Sequence, residues 1–381
     1  MPSSRKNIRL LHIIDNLDRG GTQTWLMTLV NGLAGLGYEQ RVYCLNEVFN
    51  PGIVENLERS GCPVTIIGRP QLFTLLGFVR LYRAIKLWQP DIVQTILPYG
   101  NLVGRLVAHL AGAPVIISSI RTRNAHKSSF HLWLDRQTAG WADLYIAVSR
   151  QIIPFAMAHE GVPPDKVIHI ANGLEVDRRD RSQVRAAVRA RLGLAAHTKV
   201  LGMVARLSPQ KAHSDLLQAH AIVAAAYPDT ALLLVGDGPL RQTLERQAKT
   251  LKIDRQVIFL GDSAEVKDLL AALDLFVHPS LFEGMPNAVM EAMAAGLPVI
   301  AARVDGVADL LDDGQSGWLV NPGNPTELAG RIIFALKNEA LWPTIGQAAA
   351  RRIAADFSPP KMVNAYHAVY QDMLNRSQAR R

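Results

Sequence analysis

The chain has 381 residues, 49% hydrophobic and 19% charged, which is too long for one domain of roughly 150 residues and points to two of comparable size. That composition excludes a disordered chain. Two cysteines, Cys44 and Cys62, exclude a disulfide framework or a cysteine-rich zinc site, so a reduced, cytoplasmic setting is expected.

The formal charge of +8 is unevenly spread: residues 1–195 hold 23 Lys+Arg against 14 Asp+Glu, or +9, and residues 196–381 hold 18 against 19, or −1. A basic half invites nucleic acid, an anionic membrane or an acidic substrate, although a solvated basic surface accounts for it as well.

Arg5, Lys6 and Arg9 precede the apolar run 10–14, but His12 breaks it, Asp15 ends it and no small-residue cleavage site follows. It reads as a first strand rather than a signal peptide. Strand-like runs at 8–14, 41–45, 64–67, 92–96, 115–120, 144–148 and 167–170 alternate with amphipathic or Ala/Leu-rich segments, the pattern of a parallel sheet with helices on both faces. An arginine-rich stretch, 178–191, follows Asn172-Gly173. The alternation then restarts, with strands expected at 200–205, 232–235, 257–260, 275–278 and 299–302. The expected fold is therefore α/β, with two doubly wound parallel-sheet domains meeting near residue 175. A Pro-initiated helix over 357–374 carries Met362, Tyr366, Val369 and Met373 on one side, and the tail 376–381 is expected to fray. No run reaches the roughly 18 apolar residues of a membrane span.

In open parallel sheets, ligands bind beyond the carboxyl ends of the strands, so four loops draw attention. After the first strand, Gly20-Gly21 opens a helix and lets backbone approach an anion, although an ordinary turn explains it equally. After the strand at 200–205, Arg206 and Lys211 are placed to clamp a diphosphate. The turn Gly236-Asp237-Gly238-Pro239 leaves backbone exposed to a ligand, or is simply tight. The fourth loop, Glu283-Gly284-Met285-Pro286-Asn287-Ala288, leads into a helix over 286–295 bearing Glu291. A carboxylate among alanines and methionines needs hydroxyl or amide partners, which a sugar or ribose supplies, and helix N–H groups receive phosphate oxygens.

Glu283 and Glu291, with seven residues between them, resemble the E-x7-E signature of the retaining enzymes of glycosyltransferase family 4. Arg206/Lys211, the Gly236–Gly238 turn, Asn172-Gly173 and Gly20-Gly21 are similar to family elements in the same order. The resemblance covers roughly 8–374, more strongly in the second half. It implies the GT-B fold, two Rossmann-like domains facing across a cleft. The N-terminal domain, 1–174, would bind acceptor and the C-terminal domain, 175–356, the donor, with the segment 357–381 a helix crossing back. It further implies a metal-independent hexosyltransferase that needs no cofactor and uses a UDP- or GDP-sugar as donor. Carried over, Arg206 and Lys211 would hold the diphosphate, Glu291 the ribose and Glu283 the sugar hydroxyls. Backbone N–H groups of Met285, Pro286's neighbours Gly284 and Asn287, Ala288 and Gly20-Gly21 would complete the anion pocket, beside the Gly236-Asp237-Gly238 turn. One departure concerns the family histidine after the fifth strand: here Arg121 stands near its place, Arg123 follows, and His126 is displaced. These three are acceptor candidates.

The basic first half suggests a lipid-linked or cell-envelope glycan acceptor and a peripheral contact with anionic membrane at its inner face. The segment 71–88, with Arg80, Arg83 and Lys86, is either a basic amphipathic surface or a crossover helix with its apolar face on the sheet. No recognition motif supports nucleic-acid binding, no GxGxxG supports a dinucleotide oxidoreductase, and a nucleotide-sugar epimerase stays as an alternative.

Overall fold

A computed structural model describes residues 7–68, 75–123, 127–176 and 181–380. The chain divides into two compact units, Met1–Gly173 with Pro359–Arg381, and Leu174–Ser358.

The first unit is built on seven parallel strands: β1 (Ile8–Ile14), β2 (Tyr38–Cys44), β3 (Val64–Ile66), β4 (Ile92–Ile96), β5 (Ile116–Ile120), β6 (Leu144–Ala147) and β7 (Val167–His169). Their order is β3-β2-β1-β4-β5-β6-β7, so the direction of winding reverses between β1 and β4, the place where such sheets hold ligands. Strands β4 to β6 are buried at every residue, as expected when helices cover both faces. The chain's last helix, Pro359–Ala379, completes this unit. Its Met362, Val363, Tyr366, Tyr370 and Met373 are buried in the same apolar core as Leu10, Trp25, Leu29 and Ile96. Tyr370 Oη donates to Gln94 Oε1 at 2.5 Å. The expected frayed tail is instead helical to Ala379, where Ser377 Oγ donates to Pro114 O at 3.1 Å and Arg380 pairs with Asp143 at 3.2 Å.

The helix Leu75–Trp88 buries Leu81, Ile85 and Trp88 and exposes Arg80, Arg83, Lys86 and Leu87. Its apolar stripe therefore belongs to the core.

The second unit has six parallel strands: β8 (Lys199–Val204), β9 (Thr230–Val235), β10 (Val257–Gly261), β11 (Leu275–His278), β12 (Val299–Ala302) and β13 (Trp318–Val320), ordered β10-β9-β8-β11-β12-β13. The winding repeats that of the first unit. Strand β13 has no counterpart among the expected strands, because three residues between Gly317 and Asn321 are too few to show alternation.

The arginine-rich stretch becomes the helix Arg181–Arg191 and is spent within the second unit. Arg185 and Arg189 meet Asp274 at 2.6 and 2.5 Å, and Arg189 Nε donates to Ala272 O. Counted by unit, Met1–Gly173 with Pro359–Arg381 holds 21 Lys+Arg against 12 Asp+Glu, or +9, and Leu174–Ser358 holds 20 against 21, or −1. The basic excess thus keeps its size but draws on the last helix in place of the arginine-rich one.

Candidate active site

Strands β8 and β11 are hydrogen-bonded neighbours, which brings the loops beyond their carboxyl ends together. After β8, Arg206 is exposed, and its guanidinium has no partner among the described residues. The loop then tightens into a single turn, Pro209–Lys211. Ala212 follows at φ 53°, a left-handed conformation that costs a non-glycine residue energy, and the helix His213–Ala226 starts without a side-chain cap.

After β11 the chain returns to that loop. Leu281 N donates to Gln210 O at 2.8 Å, and Gln210 Nε2 donates to Phe282 O at 2.8 Å. These clips place Glu283 against Lys211, whose Nζ lies 2.5 Å from Glu283 Oε1. His278, the last residue of β11, brings Nε2 to 2.8 Å from the same oxygen, and Ser280 Oγ is 3.0 Å from that nitrogen. Burial by itself raises the Glu283 carboxyl pKa, but the Lys211 charge and the His278 hydrogen bond outweigh it and hold the group at about 2. Burial lowers the pKa of His278, so a neutral imidazole faces an ionised carboxylate. Lys211 keeps two of its three N–H donors for another acceptor.

The helix Asn287–Ala294 starts after Pro286 with neither a side-chain cap nor an acidic residue in its first turn. The preceding loop is held close to the next helix, Asp305–Leu310, since a Cβ on Gly306 would collide with the carbonyl oxygen of Gly284. Glu291 shares a face with Asn287, and no described residue pairs with its carboxylate. The residue is half-buried, yet burial raises its pKa to about 7, Lys267 offsetting only part of the effect.

The turn after β9 departs from the expectation of exposed backbone. Gly236 N donates to Gly261 O at 2.8 Å, Asp237 N to Asp262 Oδ1 at 3.0 Å and Gly238 N to Asp237 Oδ1 at 2.6 Å. Glycine is required here by close packing: a Cβ on Gly236 would strike Ala205 O, and one on Gly238 would lie 2.5 Å from Leu207 O. The turn thereby braces the loop that carries Arg206.

In the first unit, Gly20 precedes the helix Gly21–Leu33, which has no side-chain cap. A Cβ on Gly20 would lie 2.7 Å from Gln23 Oε1, and Gln23 Nε2 donates back to Asn16 Oδ1 at 2.9 Å. Arg121 is buried rather than superficial, 8% exposed. Its Cζ lies 4.1 Å from the centre of the Trp25 ring, and Nη2 donates to Asn172 Oδ1 at 2.6 Å. Among the described residues Nε and Nη1 have no hydrogen-bond partner, and burial lowers the pKa to about 10, the nearby Tyr366 hydroxyl offsetting part of the effect. Arg123 is half-buried, with Cζ 5.9 Å from the Phe155 ring. His126 lies outside the described residues.

Residues that sequence reasoning passed over are His278, Ser280 and Gln210. The available signal was a histidine ending an otherwise apolar strand, five residues before Glu283. His213 is buried, and neither of its ring nitrogens has a hydrogen-bond partner among the described residues; burial, helped by the neighbouring Lys211 charge, lowers its pKa to about 4.

Residues 184–352 match the family described as Glycosyl transferases group 1, and residues 19–178 match Glycosyltransferase Family 4. The N-acetyl-alpha-D-glucosaminyl L-malate synthase of Bacillus anthracis is 33% identical over 237 residues, which cover 61% of this chain and 60% of that protein. The UDP-Gal:alpha-D-GlcNAc-diphosphoundecaprenol alpha-1,3-galactosyltransferase of Escherichia coli is 23% identical over 98% of this chain and 99% of its own length. Among solved structures, Anabaena HepE in complex with UDP superposes with a TM-score of 0.84 at 23% identity, covering 96% of this chain and all of that one. The sheet order of both units, the two family matches and these likenesses agree, and the chain is a glycosyltransferase of the family 4 type with the GT-B fold.

Proposed function

We propose that the protein transfers a sugar, with retention of configuration, from a nucleotide-diphosphate sugar to a hydroxyl of a lipid-linked or envelope glycan acceptor. The observation that carries the donor assignment is Glu291, a carboxylate with no partner among the described residues, whose pKa burial raises to about 7. A ribose offers the paired hydroxyls that such a group lacks. Arg206, exposed, and the spare N–H groups of Lys211 hold the diphosphate, and the uncapped start of Asn287–Ala294 adds the backbone N–H groups of Gly284 and Ala288. As the bond to the leaving group breaks, negative charge builds on the β-phosphate. Fixed cations aimed there stabilise it without a divalent ion. UDP-bound HepE and the UDP-galactose enzyme of Escherichia coli support a uridine nucleotide over a guanosine one.

The diphosphoundecaprenol acceptor named for the Escherichia coli relative and the +9 charge of the first unit support an acceptor presented at the inner face of the cytoplasmic membrane. A thermal-shift series with UDP-, GDP- and ADP-sugars tests the donor, followed by transfer to a lipid-diphosphate glycan in the presence of EDTA. UDP-sugars are expected to raise Tm most, transfer is expected to survive the chelator, and Glu291→Ala is expected to abolish the Tm shift. Full donor affinity in Glu291→Ala would overturn the ribose assignment.

A further inference from the structure

Both donors to Glu283 converge on one oxygen. Lys211 Nζ and His278 Nε2 lie 2.5 and 2.8 Å from Oε1, whereas Oε2 receives no bond from a described residue. A lysine could not enforce that choice alone, because an ammonium on a flexible stem follows either oxygen of a carboxylate whose terminal torsion is broad and two-fold. The imidazole is rigidly held. His278 ends a strand buried at all four residues, is aligned with Ala301 of β12, and stacks on Phe276 with ring centres 6.1 Å apart and 12° between planes. Since Glu283 is ionised and the ring is neutral, the proton must sit on Nε2 and point at Oε1.

We propose that His278 is a positioning residue that fixes Glu283 so that Oε2 alone meets a hydroxyl of the donor sugar, and thereby sets which hydroxyl configuration is accepted. This rests on the reading of Glu283 as the carboxylate that holds the sugar. The groups facing the pair are Lys211, Ser280 and His213. None of them offers a second rigid donor to Oε1.

The experiment compares His278→Leu with His278→Gln, whose amide nitrogen can reach the place of Nε2. Steady-state kinetics are measured with the nucleotide sugar selected by thermal shift, together with the Kd of the matching nucleoside diphosphate. In His278→Leu, kcat/KM is expected to fall about 10- to 100-fold, the span for a lost hydrogen bond to a charged group, while diphosphate affinity stays within about twofold. The acid limb of its pH–rate profile should move upward, because Glu283 loses a donor that lowers its pKa, and discrimination between epimeric sugars should relax. His278→Gln should recover most of the loss. A His278→Leu enzyme within about twofold of the parent kcat/KM overturns the proposal. So does a joint loss of sugar turnover and diphosphate affinity in both variants, which marks a histidine needed only for folding. Glu283→Ala separates the two readings: crippled turnover there with His278→Leu intact refutes the role of His278 alone, and full turnover refutes the sugar role of Glu283.

Discussion

Two glutamates with seven residues between them are driven in opposite directions by their surroundings. Glu283 is as buried as a carboxylate can be, yet Lys211 and His278 keep it ionised, with a pKa of about 2. Glu291 has only burial, relieved in part by Lys267, and stands at about 7. That difference has a sign that can be measured. A raised carboxyl pKa means the protonated form prevails below about pH 7, and ribose hydroxyls donate to the ionised form. Donor affinity should therefore increase as pH rises, by about tenfold between pH 6 and pH 8 from one titrating group. The diphosphate diester of the nucleotide sugar does not titrate in that window. Calorimetry across the range should show the slope in the parent protein and a flat profile in Glu291→Gln. The E-x7-E spacing was legible in the sequence; the unequal pKa values were not, because they arise from a histidine and a lysine that only the sheet brings to Glu283.

The helix Arg181–Arg191 illustrates how part of a surface-like charge run turns inward. Read along the chain, six arginines between 178 and 191 look like a solvated face. In the fold, Arg185 and Arg189 converge on Asp274, which also accepts from Val200 N at 2.7 Å. Asp274 thus ties that helix to the start of β8. Asp274→Ala leaves two guanidinium groups without their counter-ion in a partly buried place and should cost about 3–5 kcal/mol, seen as a lower denaturant midpoint. Asp274→Asn, which retains an acceptor oxygen, should cost less. The glycine turn after β9 carries a similar lesson. Gly236 and Gly238 mark a tight place in the sequence, but their N–H groups are engaged within the unit, and their contribution is to let the turn approach Ala205 and Leu207. Gly236→Ala should destabilise by at least about 1–3 kcal/mol through overpacking, measured by thermal melting.

Charge belongs to the whole chain. The first unit's +9 should make binding to vesicles rich in anionic lipid strong at low ionic strength and weak at about 1 M salt, where the Debye length falls to about 3 Å. Cosedimentation reads this directly, and neutral vesicles serve as the control. No helix among the described residues is long and apolar enough to cross a membrane. Among exposed groups, Arg83, Lys86 and Leu87 on the helix Leu75–Trp88 are placed for such a contact, whereas Trp88 is not: it is buried, and its Nε1 donates to Glu39 at 3.2 Å.

The sequence by itself determined the two-fold repetition of parallel α/β architecture and twelve of the strands, since strand and helix periods are local properties of the chain. It also determined the loops in which chemistry-bearing residues stand, because glycines, prolines and charges at strand ends are local as well. Only the tertiary structure decided that β13 exists and that Arg185 and Arg189 of the arginine-rich helix pair with Asp274. It alone revealed that Arg121 is buried against Trp25 and that Tyr370 of the last helix donates to Gln94. Each of these depends on residues far apart in sequence, as with Gln94 and Tyr370, 276 positions apart, and burial and pairing between such partners leave no periodic trace in the chain.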